Sequence, residues 1–215
     1  ADGSVIFAPH LVPAVGIFDA VLREFRYVDL TETFNHPPFN NGQNPFCGAT
    51  TTLKGLVVFA PYDANAVGVY FAATSDFSYV DISATVASWL STNDKFVGAA
   101  TAPNGLVVFA PYSADAVGVF DADDGRFWYV DISMTITNPG PNSGGNKFAG
   151  AAVAPNGQIV FAPCDAQGIG SFDADTLTFS YVGPGTTSPS ANVFRGVATA
   201  LNGDVVFVPH ETTDV

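Results

Sequence analysis

The stretch KFVGAATAPNGLVVFAPYSADAVGVFDADDGRFWYVDIS, Lys95–Ser133, decides the fold. It divides into four short runs separated by turn chemistry. KFVGAATA is followed by PNG, LVVFAPY by SAD, AVGVFDA by DDG, and RFWYVDIS by a longer polar stretch. The runs are rich in Val, Phe and Tyr, the composition of β-strands. Asn-Gly and Asp-Gly mark tight hairpins, because they tolerate positive φ at low cost. No helical period runs through any useful window. The stretch therefore reads as a four-stranded antiparallel meander, with strands a, b, c and d.

Working outward, the same unit recurs. The Phe-x-Pro that ends strand b places prolines at Pro9, Pro61, Pro111, Pro163 and Pro209, with steps of 52, 50, 52 and 46 residues. A period near fifty residues lies in the range of propeller blades. Repeat units fall at 1–43, 44–94, 95–145, 146–191 and 192–215, the last of them partial. Strand a opens with Phe46, Phe96, Phe148 or Phe194 and carries Gly48, Gly98, Gly150 or Gly196. Small residues suit a crowded inner strand near the axis. Strand d carries alternating aromatics, Phe77 with Tyr79, Phe127 with Tyr129 and Phe179 with Tyr181, which suit a wider outer strand. These aromatics are expected in the core, each contributing roughly 1.5–3 kcal/mol of burial free energy.

The expected fold is an all-β propeller of four-stranded blades, incomplete at both ends, with four to five blades visible. A linear stack of meanders is the alternative. The long d–a segments favour a ring, because they can carry the chain from the outside of one blade to the inside of the next. The first unit lacks strand a, and the last stops after strand b. The expected total is seventeen strands, one more than four blades need and three fewer than five. Two expectations follow: a segment of a longer repeat protein, or a surplus strand that pairs with another copy, since an unpaired edge invites strand addition.

The pattern NG-x-VVF followed by VGVFDADDGRFWYV resembles the kelch and related propeller repeats over nearly the whole chain. In those, a glycine-bearing inner hairpin precedes a strand with an aromatic near its end. Two departures stand out. Ala60-Pro61 and Ala110-Pro111 replace the kelch double glycine after strand b, and the aromatic pair is mostly Phe and Tyr.

Bulk composition narrows the function. The chain has 215 residues, 47% hydrophobic and only 13% charged, with a net charge of −13. No basic patch exists to displace counterions, so neither nucleic acid nor an anionic membrane is an expected partner. No apolar run reaches the ~20 residues that span a bilayer. Cys47 and Cys164 fall at different places in the repeat and do not suggest a designed disulfide. Low charge, few lysines and an acidic surface give an extracellular or cell-surface expectation.

In a meander, the b–c and d–a connections share one face and the a–b and c–d turns share the other. The first face carries the variation. The residue that ends each Phe-x-Pro strand reads His10, Tyr62, Tyr112, Cys164 and His210. With Trp89 from a d–a loop, these form the expected ligand-binding rim, on the reasoning that binding residues gather on loops held by rigid scaffolds. Tyr62, Tyr112 and Trp89 suit stacking on a sugar or a peptide aromatic. The simpler reading is that they cover the blade tops.

Other candidate chemistry is weak. DADDG at Asp121–Gly125 fails as a calcium loop, because its fifth and twelfth positions are Gly125 and Ile132. A turn is the better account. Asp29, Asp81 and Asp131 follow strand d and are expected to cap nearby amides rather than bind cations. His10 and His210 belong to different blades with no evident third ligand, so no metal is expected. Neither a cofactor nor a catalytic residue is expected; a hydrolase or lyase would need convergence of residues such as His10, Asp63 and Asp115. The expected function is a non-catalytic structural or protein-interaction module whose partners are other chains or copies of itself. A carbohydrate-binding propeller is the alternative, with glycans as ligands.

Overall fold

The computed structural model describes residues 3–39, 44–86, 93–136, 145–183 and 193–210. Blade 1 holds β1 (Ser4–Phe7), β2 (Ala14–Asp19) and β3 (Glu24–Asp29). A single helical turn, α1 (Thr31–Phe34), leads toward blade 2, with β4 (Phe46–Thr51), β5 (Leu56–Pro61), β6 (Ala66–Phe71) and β7 (Asp76–Asp81). After α2 (Ser83–Val86), blade 3 holds β8 (Phe96–Thr101), β9 (Val107–Pro111), β10 (Ala116–Asp121) and β11 (Arg126–Asp131). Blade 4 holds β12 (Phe148–Val153), β13 (Ile159–Pro163), β14 (Ile169–Asp173) and β15 (Thr178–Val182). Blade 5 holds β16 (Phe194–Thr199) and β17 (Val205–Pro209). All pairings are antiparallel and follow chain order. The seventeen expected strands are present among the described residues. The one-turn helices α1 and α2 were not expected. Four residues are too few to leave a periodic signal, and each turn buries one apolar side chain, Phe34 or Val86.

Alternation along strand b builds the core. In β5, Val57 and Phe59 face one side of the blade and Val58 faces the other. Val58, Val67 and Val69 of blade 2 pack with Phe96, Phe109 and Phe120 of blade 3. Val108, Val117 and Val119 of blade 3 meet Phe148, Phe161 and Phe172 of blade 4 in the same way. Each interface is therefore a valine face against a phenylalanine face.

Within a blade the phenylalanines form a stack of three. Phe46–Phe59 and Phe59–Phe77 ring centroids lie 5.8 and 6.4 Å apart, Phe96–Phe109 and Phe109–Phe127 5.8 and 6.4 Å, and Phe148–Phe161 and Phe161–Phe179 5.6 and 6.3 Å. A strand-c glycine makes room for the first ring. A Cβ on Gly68, Gly118 or Gly170 would lie 2.8, 2.9 or 2.7 Å from the Cζ of Phe46, Phe96 or Phe148. The strand-a Phe pairs with the proline of strand b, and a bulge follows at once, between Phe46 and Ala49 and at each equivalent place. The bulge swings the next glycine against the neighbouring blade. A Cβ on Gly48 would lie 2.6 Å from Gly98 Cα, one on Gly98 2.7 Å from Gly150 Cα, and one on Gly150 3.0 Å from Gly196 Cα. The inner strands touch backbone to backbone.

The turns behave as expected, with one revision. Asp29, Asp81 and Asp131 accept hydrogen bonds from the amides of Thr31, Ser83 and Ser133 at 2.8–2.9 Å. Asp121 Oδ1 accepts from the amides of Asp123 and Asp124, which accounts for DADDG as a turn. The c–d turn does not need glycine. Its left-handed position is Arg23, Ser75, Gly125 or Leu177, at φ 58, 60, 63 and 56°. Asp19, Asp121 and Asp173 brace that turn in three of the four copies.

The expectation that the named repeat aromatics are core fails for Tyr79, which is 41% exposed, and the burial does not extend to blade 1. Phe7, Phe25 and Tyr27 are 50%, 64% and 67% exposed, whereas Phe59, Phe109 and Phe161 are fully buried. Among the described residues, no strand-a phenylalanine lies over that face of blade 1.

Candidate functional site

The b–c face is built by backbone hydrogen bonds at each rim residue. The amides of Tyr62, Tyr112, Cys164 and His210 donate to the carbonyls of Pro45, Lys95, Lys147 and Val193 within their own blades. The carbonyls of Tyr62, Tyr112 and Cys164 then accept from the amides of Lys95, Lys147 and Val193, the residues that enter the next blade, at 3.0, 2.7 and 3.0 Å. The main chain of the rim position locks one blade to the next. At Tyr62, Tyr112 and Cys164 that lock uses main-chain atoms alone, which is why the scaffold tolerates Tyr or Cys there, whereas His10 reaches blade 2 through its side chain.

The structure places the rim residues unevenly. His10, Tyr62 and Tyr112 form an arc, with centroid distances of 5.5 Å from His10 to Tyr62 and 6.2 Å from Tyr62 to Tyr112. Tyr112 is buried and packs with Ala149 and Cys164, with Tyr62 and Val97 against that cluster. Cys164 is fully buried, and His210 is exposed at the far end. Trp89 lies outside the described residues. The displayed part of the rim is therefore His10 and Tyr62, with Tyr112 as the floor beside them.

Polar groups around the arc are engaged in holding the scaffold. His10 Nδ1 donates to the carbonyl of Phe46 at 2.9 Å. The Asp63 carboxylate accepts from the amides of Asn44 and Asp94 at 3.1 and 3.0 Å. Lys95, 1% exposed, donates from Nζ to the Asp63 carbonyl at 3.1 Å. Its repeat equivalent, Lys147, donates to the Ser113 carbonyl at 3.2 Å and pairs with Asp115 at 2.7 Å. His10 and Asp63 border the same cavity of about 150 Å³ between blades 1 and 2, but Asp115 is not part of it. The constellation that a hydrolase or lyase would need is not assembled from these three residues.

Burial sets the local electrostatics. It pushes the Tyr62 phenol well above its ordinary range, with further help from a hydrogen bond to the Asp94 carboxylate. Burial likewise raises Tyr112 to about 12. It lowers the Lys95 ammonium to about 8, against the pull of Asp63 and Asp94. Both phenols therefore stay neutral donors at physiological pH. Burial also raises the Cys47 thiol, although the Arg195 charge opposes the effect. A protonated thiol is a poor nucleophile. Cys47 and Cys164 form no disulfide with each other. Among the described residues, no group of three or more His, Cys, Asp or Glu side chains could hold a metal ion.

Sequence reasoning missed Asp94, Lys95 and Arg195 as shapers of this face. The signal was present in strand a. The position before its Phe reads Pro45, Lys95, Lys147 and Val193, and the position after it reads Cys47, Val97, Ala149 and Arg195. Both positions, and the one before them that reads Asn44, Asp94, Asn146 and Asn192, differ in charge between otherwise similar copies.

No family model matches the chain, and no curated protein matches it. Solved structures do. Virginiamycin B lyase from Staphylococcus aureus superposes with a TM-score of 0.70 at 14% identity, over 97% of this chain and 60% of that one. A streptogramin B lyase gives 0.70 at 15% identity, over 97% and 59%. The extracellular domain of BT4673 from B. thetaiotaomicron gives 0.63 at 10% identity, over 96% and 25%. The chain spans about three fifths of the length of the lyases it resembles. At these identities the likeness establishes architecture rather than chemistry, and the architecture is a β-propeller.

Proposed function

We propose that this kelch-like propeller is a non-catalytic interaction module, working at an extracellular or cell surface, that seats a protein ligand on the His10–Tyr62–Tyr112 arc. The observation that carries the reading is the engagement of the nearby polar groups. The Asp63 carboxylate caps two amides, Asp115 is paired with Lys147, and His10 holds the Phe46 carbonyl. What is left to meet a ligand is aromatic surface with neutral phenols, which favours stacking and hydrogen bonding over bond making. The BT4673 likeness agrees with an extracellular setting, since that relative is described as an extracellular domain.

The test is a parallel selection on the immobilised chain from a phage-displayed peptide library and a glycan array. Peptide ligands are expected, with binding at least about tenfold weaker to Tyr62→Ala, the loss of one buried aromatic contact. Glycan ligands with the same dependence would instead make this a carbohydrate-binding propeller. An inactive H270A variant of the Staphylococcus lyase was solved with quinupristin, so that compound is the sharpest probe for turnover. Quinupristin recovered at unchanged mass is expected. A product of altered mass would overturn the non-catalytic reading.

A further inference from the structure

We infer that the protein ligand presents a basic side chain to this seat, with its guanidinium or ammonium lying on the Tyr62 ring and the Asp94 carboxylate as its charge partner. The inference rests on the arc being a protein-binding surface, and it names the chemistry which that surface selects. Asp94 is the residue that sets this place apart. The other repeats carry Asn44, Asn146 and Asn192 at the same position. The Asp94 backbone is left-handed, at φ 63°. Asp63 Oδ1 accepts from its amide at 3.0 Å, and its carbonyl accepts from the amide and the hydroxyl of Ser113 at 3.0 and 2.7 Å. Its backbone is thus held from both sides. Asparagine tolerates the left-handed region as well as aspartate does, so the turn alone does not account for a carboxylate. What the carboxylate adds is charge beside the Tyr62 phenol.

Neighbouring cations do not cancel that charge. Asp63 and Asp94 both act on one ammonium, Lys95, and two carboxylates against one ammonium leave the cluster negative. Lys95 is 1% exposed and its Nζ is turned to the Asp63 carbonyl, so it shows no cation to a ligand. Arg195 acts on Tyr112 and Cys47 but is not among the charges that act on Tyr62. The Tyr62 end of the arc is therefore its negative end.

The hydrogen bonds point the same way. The Tyr62 hydroxyl donates to the Asp94 carboxylate, which leaves the phenol oxygen free only to accept. An ionised carboxylate has about four lone-pair sites, so Asp94 also keeps acceptor capacity. Tyr62 and Asp94 are both half-buried, reachable by a ligand and partly shielded from water. Two acceptors and a ring with a negative face are complementary to a cation. A ligand carboxylate would meet like charge here. At longer range the net charge of −13 draws basic partners toward the chain.

The test uses random heptapeptide pools that differ only in a fixed central residue, which is Arg, Lys, Gln, Phe or Glu. Retention on the immobilised full chain is measured for each pool. The Arg and Lys pools are expected to be retained at least about tenfold better than the Gln and Glu pools, with Arg ahead of Lys. Asp94→Asn carries the residue of the other repeats. It is expected to lower retention of the basic pools about tenfold and to leave the Phe pool unchanged. Should that variant misfold, the unaltered chain still decides the matter: retention of the Arg pool is expected to fall several-fold at about 0.5 M salt, and no fall overturns the inference. A Phe pool that binds best through Tyr62 and ignores Asp94→Asn overturns the basic-ligand inference while the protein-binding reading stands. Retention of no pool, or retention that Tyr62→Leu leaves untouched, overturns both.

Discussion

Phe109 and Phe7 occupy the same position of the same repeat, yet one is fully buried and the other is half exposed. Their own strands are alike. What differs is the neighbourhood: Phe109 has Phe96 from strand a on one side and the valine face of blade 2 beyond it. Among the described residues the ring paired with Phe7 is Phe25. The comparison teaches that a blade in this molecule is not a self-sufficient unit. The strand sequence supplies the shape, and the adjoining strand and blade supply most of the burial free energy.

The largest test of that contrast lies in the inner strands. Gly98→Ala is expected to cost about 4–6 kcal/mol, because the new Cβ would meet Gly150 Cα at 2.7 Å with φ at 95°. Gly196→Ala is expected to cost about 1–2 kcal/mol, since only Val208 lies nearby, at 3.6 Å, and the strain is conformational. Denaturant midpoints of the two variants check the difference. Next come the phenylalanines. Phe109→Ala should cost about 3–5 kcal/mol and Phe7→Ala under about 1 kcal/mol in dilute solution. An equal cost would mean that blade 1 is covered in solution.

A pH titration sharpens the role of Lys95. Its ammonium titrates at about 8 in the fold and at 10.5 when unfolded. Between those values the unfolded chain binds the extra lysine proton, so this group makes stability rise with pH, by at most about 1.4 kcal/mol per unit, opposed above pH 9 by the raised Cys47 thiol. Above pH 10 the sign reverses. Tyr112 holds its proton to about 12 in the fold while the unfolded phenol has already lost it, and Tyr62 acts in the same direction. Lys95→Met should remove the rise and leave the fall. The smallest effect concerns Tyr70, fully buried, whose hydroxyl has no partner among the described residues. Its repeat equivalents are Phe120 and Phe172. Tyr70→Phe is expected to stabilise the chain by about 1 kcal/mol, read as a rise in melting temperature.

The blades were legible in the sequence because their signals are local. Alternating valines, a Phe-x-Pro at each strand end and Asn-Gly turns each act within a few residues. The face on which the rim residues lie followed from connectivity alone. The depth of those residues did not. Nothing within six residues of Cys164 or Tyr112 announces that they are buried, because the atoms that cover them come from strand a and from neighbouring blades. Lys95 was opaque for the same reason: a lysine before an apolar strand reads as exposed, and only the Asp63 carbonyl of the preceding blade shows why it is buried. The glycine of strand a was read as fitting a crowded place. That the crowding is backbone against backbone became visible only in three dimensions.

That contact has a consequence for how such a repeat diversifies. Where blades meet through Gly48, Gly98, Gly150 and Gly196, the pitch of the array is ruled by main-chain atoms, which no substitution elsewhere can resize. A pitch held by side chains would drift with each exchange, and small errors would compound around the array. Here the gauge is fixed at the hub. The outer positions are thereby released to change one at a time, and each new rim side chain is presented at an unaltered angle and height.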